Sequence, residues 1–423
     1  MKRTTSKKLY SESEKLTPGG VSSPVRSFAP FPVFMKNGKG GTITDADNND
    51  YIDLCMAYGP LIFGHAHPKI VETVGKQMEN GTVFGTPSEA ELRLLRNICS
   101  RVPCAESARL MNSGTEATMH SIRLARGFTG KNGIVMVNGG FHGAHDALLA
   151  GISEDPFTHC VPWPKGVPED AVKNTFSIEY NDPEVLNQLL HRNKDIAAVI
   201  MEPIMGNRGV ITPKKGYLED VRKITSENDV VLIFDEVITG FRVAPDSAQG
   251  FYKVTPDLCI LGKIIGGGFP AGAVAGKKEI MDEFAPSGKV YQAGTFSGNP
   301  ITAAAGSAVI EMLTPDIYRG LSKRTNTIVS ILNDSFSDAG VLGCVQYSNS
   351  MFQVFFGTDS VECYGDSSEV DVIVHRDLFK HMLDSGIYLP PSAFEVNFLC
   401  TEHTDEHLSK VAEEFDSFIG GSV

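Results

Sequence analysis

Val230-Val-Leu-Ile-Phe-Asp235-Glu-Val237 and Leu258-Cys-Ile-Leu-Gly-Lys263-Ile-Ile-Gly-Gly-Gly268 are apolar runs of strand length, each closed by a polar or charged residue. Two more runs precede them, Ile134-Val-Met-Val137 and Ile196-Ala-Ala-Val-Ile-Met201. Between the second and third run, Tyr217, Val221 and Ile224 fall at i, i+4 and i+7, one face of a helix. Continuous apolar strands alternating with helices predict an α/β fold with a mainly parallel sheet, covered on both faces. In such a sheet the carboxyl ends of the strands line the ligand crevice. Asp235 closes one strand and Lys263 follows another, 28 residues later, which allows strand, connection and strand.

Working outward, the 423 residues carry 38 basic and 51 acidic side chains, a net charge of -13. Phosphate backbones select Lys and Arg, so this balance argues against a nucleic-acid partner. At 42% hydrophobic and 21% charged, the chain reads as globular, not disordered. Its 42 glycines exceed the usual ~7% but follow no collagen period. The eight cysteines are scattered, with no C-x-x-C pair, which predicts reduced, buried thiols in a cytoplasmic protein. No apolar run follows the basic N-terminal stretch and none reaches ~18 residues, so neither a signal peptide nor a membrane span is expected.

Three regions are expected. Residues 1–75 are short segments broken by Pro and Gly, with a helix from Ser6 to Leu16. Residues 76–310 hold the strand and helix alternation. Residues 311–423 are mixed, with helices near 315–334, 371–384 and from Glu406, and a strand at Met351-Phe-Gln-Val-Phe-Phe356. The Pro- and Gly-rich stretch 151–178, which holds the only tryptophan, Trp163, reads as a long functional or mobile loop.

Several motifs fail. Asp45-Ala-Asp-Asn-Asn-Asp50 begins like a calcium loop but lacks the central Gly, and Met56 stands where a bidentate Glu belongs, so it reads as a turn. Gly272 to Lys277 approaches a phosphate loop, one residue short and with Lys278 in place of Ser or Thr. His65-Ala-His67 has no evident third ligand, so a structural role is expected and no metal. A nicotinamide oxidoreductase on a doubly wound sheet would need the G-x-G-x-x-G fingerprint, which is missing.

Three features survive. In Met111-Asn-Ser-Gly-Thr-Glu-Ala-Thr118, small residues open a helix, a ready phosphate site, with an ordinary N-cap as the competing reading. Asp235 at a strand end reads either as a ligand carboxylate or as a helix cap. Lys263, directly after an apolar strand and flanked by Gly, is an unusual place for a solvated lysine and suits an amine nucleophile. A phosphate cup, a carboxylate and a Schiff-base lysine, in this order, describe a site for pyridoxal 5'-phosphate (PLP).

The order Ser-Gly-Thr-Glu116, Phe141-His-Gly, Glu202-Pro, Asp235-Glu-Val, Lys263 and Gly294-Thr-Phe resembles the class III aminotransferases of PLP fold type I. Further stretches resemble the branch of that family that isomerises glutamate-1-semialdehyde: Pro18-Gly-Gly-Val-Ser-Ser-Pro-Val-Arg26, Tyr58-Gly-Pro-Leu-Ile-Phe-Gly-His-Ala-His, Gln249-Gly-Phe-Tyr-Lys-Val-Thr-Pro-Asp257 and Tyr388-Leu-Pro-Pro-Ser-Ala-Phe-Glu395. The resemblance implies a large domain with a seven-stranded, mainly parallel sheet between helices, and a smaller α+β domain built from both termini.

It also implies residue roles. Lys263 would carry the cofactor and shuttle protons, and Asp235 would pair with the pyridine nitrogen. Val237 and Phe141 would press on opposite ring faces, with His142 and Asn207 also at the cofactor. Ser113, Gly114 and Thr115 would hold the phosphate, and Thr295 would reach it from a second subunit of a homodimer with a shared active site. Arg26, with Ser23 nearby, would grip the substrate carboxylate, and Tyr58, Glu202 and Glu395 would complete the pocket. The implied reaction is an internal amino exchange giving 5-aminolevulinate, a tetrapyrrole precursor, with the pyridoxamine 5'-phosphate form in the cycle. A glutamyl-tRNA reductase handing over the aldehyde is a partner by family analogy.

Two departures from the family pattern stand out. Phe141-His-Gly-Ala-His145-Asp146 replaces a Tyr-His-Gly-His-Ala-Asp pattern, so a ring hydroxyl is missing. Ala150-Gly-Ile-Ser-Glu-Asp-Pro-Phe157 replaces a Gly/Ser-rich start to the gating loop. The same fold also serves aminotransferases for β- or ω-amino acids, and a non-catalytic relative would have little reason to keep both Lys263 and Asp235.

Overall fold

The computed structural model describes residues 1–422. The chain forms two units. The larger comprises Lys69–Tyr318 with Val361–Ser367; the smaller comprises Met1–Pro68, Arg319–Ser360 and the chain from Ser368 onward.

The larger unit is built on a seven-stranded sheet. Its order is Ser107–Met111, Gly272–Gly276, Leu258–Gly262, Val231–Glu236, Ile196–Met201, Gly133–Val137 and Thr175–Ile178. Only Gly272–Gly276 runs antiparallel to its neighbours. Both faces are covered, so the central strands are buried at every position and carry no polar alternation. Ala117, Ile122, Leu124 and Ala125 of the helix Gly114–Thr129 share one core with Ile134, Ile200, Ile233 and Ile260 of the strands.

One local expectation changes. The stretch 151–178 is not one loop. It holds a two-residue ladder (Ala150–Gly151 with Val161–Pro162), a short helix Glu169–Val172, and the edge strand Thr175–Ile178. That strand is half polar, Thr-Phe-Ser-Ile, and follows Pro- and Gly-rich chain, so no apolar run announces it. The Gly266–Gly268 cluster serves helix packing. A Cβ at Gly267 would fall 2.7 Å from the carbonyl carbon of Ala305, and one at Gly306 1.8 Å from the Ile265 carbonyl oxygen. These glycines let the helix Pro300–Met312 lie flush on the turn after Lys263.

The smaller unit joins both ends of the chain. Ile387–Tyr388 pairs in parallel with Asp50–Asp53, extending the antiparallel strands Met35–Lys39 and Thr42–Asp45. A second sheet sets Gly343–Ser348, Met351–Phe356 and Asn397–Phe398 side by side, under an aromatic cluster of Phe336, Phe356, Phe415 and Phe418. The Asp45 segment is a turn: Asp45 Oδ1 accepts the N–H groups of Asp47 and Asn49, each at 2.8 Å. His65 Nε2 lies 2.7 Å from Asp53 Oδ2. Among the described residues, no three His, Cys, Asp or Glu side chains are arranged to hold a metal.

His403 yields a stability prediction. It is fully buried; its Nδ1 accepts the N–H of Cys400 at 3.0 Å and its Nε2 lies 3.1 Å from the Asp53 carbonyl oxygen. Nδ1 must therefore be bare and Nε2 protonated, a neutral ring. Burial pushes its pKa down to about 4. The unfolded chain binds this proton from about pH 6.5 downward and the folded chain does not, so stability falls as pH drops from 6.5 to 4, by on the order of 3 kcal/mol. Urea unfolding across this range should show the decline in the wild type and a smaller one in His403→Gln; equal slopes contradict the assignment.

Candidate active site

The helix Gly114–Thr129 begins in a side-chain cap that resembles a capping box shifted by one residue. Ser113 Oγ accepts the Glu116 N–H at 3.1 Å, and Glu116 Oε2 accepts the Asn112 N–H at 2.6 Å. Ser113 is thus a helix cap whose hydroxyl hydrogen remains a donor. The Gly114 and Thr115 amides of the first turn have no acceptor inside the helix, so they face outward with the positive end of the helix dipole. The strand Gly272–Gly276 passes directly beside this cap: a Cβ at Gly272 would lie 2.1 Å from the Ser113 carbonyl oxygen.

Asp235 sits beside that helix end at the close of its strand, 5% exposed. Its Oδ2 is 2.8 Å from His142 Nδ1, and its Oδ1 accepts the Val237 N–H at 3.0 Å. A carboxylate only accepts, so the proton of this pair is on Nδ1. His142 is fixed at its backbone as well, where its carbonyl accepts Thr118 Oγ1 at 2.7 Å. His142 Nε2 is buried and has no hydrogen-bond partner among the described residues.

Val237 fills the space between the two elements. Its methyl carbons lie 3.0 Å from a Cβ placed on Gly114 and 3.2 Å from one placed on Gly262. Leu258–Gly262 pairs with Val231–Glu236 in parallel, Asp235 opposite Ile260 and Glu236 opposite Leu261. Lys263 therefore follows two residues beyond the partner of Glu236. Its φ of +45° is a conformation that non-glycine residues seldom adopt and that clusters at functional sites.

Glu202 ties two loops together. It is 4% exposed; Oε2 accepts the N–H groups of Gly206 and Asn207 at 2.9 and 3.3 Å, and Oε1 accepts Asn207 Nδ2 at 3.0 Å and the Phe141 N–H at 3.3 Å. Burial, reinforced by the charge of Asp235, raises its pKa. The Phe141 loop is fastened again at Thr115, whose Oγ1 accepts the Ala144 N–H at 3.2 Å. The Phe141 ring itself is exposed.

Ser113, Gly114, Thr115, His142, Asp235, Val237 and the backbone of Phe141 thus meet in one group, with Glu202 and Asn207 joined through Phe141. Thr295 lies outside this network, on an exposed stretch with Tyr291 and Phe296. In the smaller unit, Tyr58 donates to the Val25 carbonyl at 2.7 Å, next to Arg26 in the turn Pro24–Arg26 that Ser23 opens. Burial, with Cys55, Tyr388 and Glu395 nearby, pushes the Tyr58 hydroxyl far up, and burial likewise raises Tyr388, with Arg26 opposing the shift. Met56, Ala57 and Tyr58 all have positive φ, a strained run beside these residues. The sequence reading named His142 without its pairing to Asp235, and it missed Thr118, whose only signal is its place one turn into the capped helix.

A family model described as aminotransferase class-III matches residues 24–416. The chain belongs to the class-III aminotransferases. It is 50% identical, over 97% of both chains, to a protein of Methanobrevibacter smithii named glutamate-1-semialdehyde 2,1-aminomutase. Among solved structures, an omega-transaminase from Sphaerobacter thermophilus superposes with a TM-score of 0.93 at 30% identity, covering 98% of this chain and 97% of that one. A glutamate-1-semialdehyde-aminomutase from Pseudomonas aeruginosa PAO1 has the same fold, with a TM-score of 0.89 at 24% identity and coverage of 98% and 94%.

The close approach of Gly272 to Ser113 is directly testable. Gly272→Ala puts a methyl group against backbone that cannot yield, and such overpacking costs about 1–3 kcal/mol. Urea denaturation should report that loss; a variant as stable as wild type would mean the strand and cap are further apart.

Proposed function

We propose that this class-III aminotransferase converts glutamate-1-semialdehyde to 5-aminolevulinate by moving an amino group within one carbon skeleton, using PLP and its pyridoxamine form. The carrying observation is the buried His142–Asp235 pair at one strand end with Lys263 just past the adjacent parallel strand. The half-identical relative bearing the aminomutase name supports the substrate.

The residues fit the cofactor. Outward-facing amides at the start of a helix suit a phosphate. A buried carboxylate suits a protonated ring nitrogen, and the unpartnered, buried His142 Nε2 calls for a polar group or water in the same place. When bound, PLP supplies an electron sink for the carbon that bears the amino group.

Each protein group has a distinct task. Asp235, fixed by His142 and the Val237 amide, holds a proton at the ring nitrogen. The amides and hydroxyls of Ser113, Gly114 and Thr115 bind the phosphate. Val237 and Phe141 bear on the two ring faces, and Glu202 acts through the Phe141 and Asn207 backbones it holds. Lys263 would carry the cofactor and, once its Nζ is free, that amine would deliver a proton to the substrate carbon that gains an amino group in the first half of the exchange and take one from the carbon that loses its own in the second. Arg26 binds the substrate carboxylate through a two-pronged contact, with Ser23, Tyr58 and Glu395 around it. One base serves both proton transfers, so no second amino acid needs to bind.

The same reading makes the enzyme a homodimer in which Thr295 reaches the partner protomer's cofactor phosphate. The exposure of Tyr291 (70%) and Phe296 (57%) on either side supports an interface there. No helix among the described residues is long and apolar enough to cross a membrane, in keeping with a cytoplasmic enzyme.

Glutamate-1-semialdehyde supplied without an amino donor should yield 5-aminolevulinate. If none accumulates while a donor and keto-acid pair turns over, the enzyme is an ordinary aminotransferase for a β- or ω-amino acid. Lys263→Ala should remain folded and fail to convert the substrate; appreciable turnover would remove Lys263 from its role.

A further inference from the structure

Residues 361–367 fold against the larger unit, although the chain before and after them belongs to the smaller one. Specific bonds hold this strap. Tyr364 N–H donates to Glu179 Oε2 at 3.2 Å, while Glu179 Oε1 accepts Asn138 Nδ2 at 2.6 Å. Asn181 Nδ2 donates to the Glu362 carbonyl at 2.8 Å, and Lys214 pairs with the Glu362 carboxylate. Within the strap, Asp366 Oδ2 accepts the N–H groups of Glu362 and Cys363, and Ser367 Oγ donates to the Tyr364 carbonyl at 2.6 Å. These bonds fix the backbone from which the Tyr364 ring projects.

The ring lies over Gly139 together with Arg208. The Arg208 guanidinium carbon is 4.5 Å from the ring centroid, and Arg208 Nε donates to the Gly139 carbonyl at 3.3 Å. Gly139 has φ +77°, and a Cβ there would fall 2.5 Å from the Tyr364 ring and 2.7 Å from Arg208 Nε. Ring and guanidinium therefore close the side on which any other residue would carry its side chain. Gly139 stands two residues before Phe141 and three before His142, and Arg208 follows Asn207. The strap thus bears on the two loops that Glu202 joins.

We propose that Tyr364 is a positioning residue for the cofactor: stacked on Arg208, it locks the Gly139-Gly140 turn so that Phe141 and His142 are held ready for the ring. The proposal rests on the reading of this crevice as a PLP site. Two adjacent glycines are the most freely moving link a chain can contain. Clamping that link before binding removes part of the ordering cost that binding would otherwise carry.

The test uses the holoenzyme. Wild type, Tyr364→Phe, Tyr364→Ala and Arg208→Met are dialysed against cofactor-free buffer, and loss of bound PLP is followed by its visible absorbance. Thermal midpoints are measured with saturating PLP. Tyr364→Phe should release cofactor within about twofold of wild type, because the ring is kept. Tyr364→Ala and Arg208→Met should each release it about fivefold faster, as expected for losing one ring–cation contact. Their thermal midpoints should stay within about 4 °C of wild type. Wild-type release from Tyr364→Ala, or a lowered thermal midpoint with unchanged release, overturns the positioning role. Fast release from Tyr364→Phe overturns the ring as the agent. If Tyr364→Ala does not fold, Arg208→Met decides by the same criterion. A wild-type protein that holds no coloured cofactor after loading with PLP overturns the underlying site reading, and the proposal with it.

Discussion

The buried contact between His142 Nδ1–H and Asp235 Oδ2 is the constraint on which the site depends. A carboxylate that is 5% exposed bears a desolvation cost of several kcal/mol unless donors surround it. His142 supplies one donor and the Val237 amide another. Meeting that need fixes much else. His142 must come close, so the turn at Gly139 and Gly140 must bring it there. Val237 must follow Asp235 tightly, so its side chain is driven between Gly114 and Gly262. The helix start, the strand end before Lys263 and the Phe141 loop are thereby gathered around one carboxylate.

A second buried carboxylate, Glu202, extends this arrangement outward. Its four accepted bonds are shared between its own turn and the Phe141 amide. Asp235 and Glu202 repel one another, which helps to raise the Glu202 pKa. The separation of tasks follows from their partners. Asp235 is held by the His142 ring and one amide, whereas Glu202 accepts four hydrogen bonds from the protein. The Tyr364 strap then closes the far end of the same loop.

Much of this was legible in the sequence for physical reasons. A strand covered on both faces has no polar alternation, so the runs ending at Asp235 and Lys263 announce a parallel sheet and place both residues at its carboxyl edge. Four of the seven strands, Gly133–Val137, Ile196–Met201, Val231–Glu236 and Leu258–Gly262, and the capped helix after Ser113 follow that expectation, while the count of seven rests on the family resemblance. The edge strand Thr175–Ile178 did not show, because edges tolerate polar residues and this one follows a Pro- and Gly-rich stretch. Nor could composition say which neighbour each glycine meets: Gly262 and Gly114 adjoin Val237, whereas Gly267 adjoins the helix at Ala305. Tyr364 had no signal at all, since its partners Arg208 and Gly139 lie more than 150 residues away in the chain.

The central claim is that Lys263 and Asp235 form one PLP site. Borohydride reduction of the purified holoenzyme, followed by peptide mapping, tests it directly. The account predicts a single pyridoxyl group attached to Lys263 Nζ. A label on any other lysine, or a protein loaded with the aldehyde form of the cofactor but carrying no label at Lys263, would contradict it.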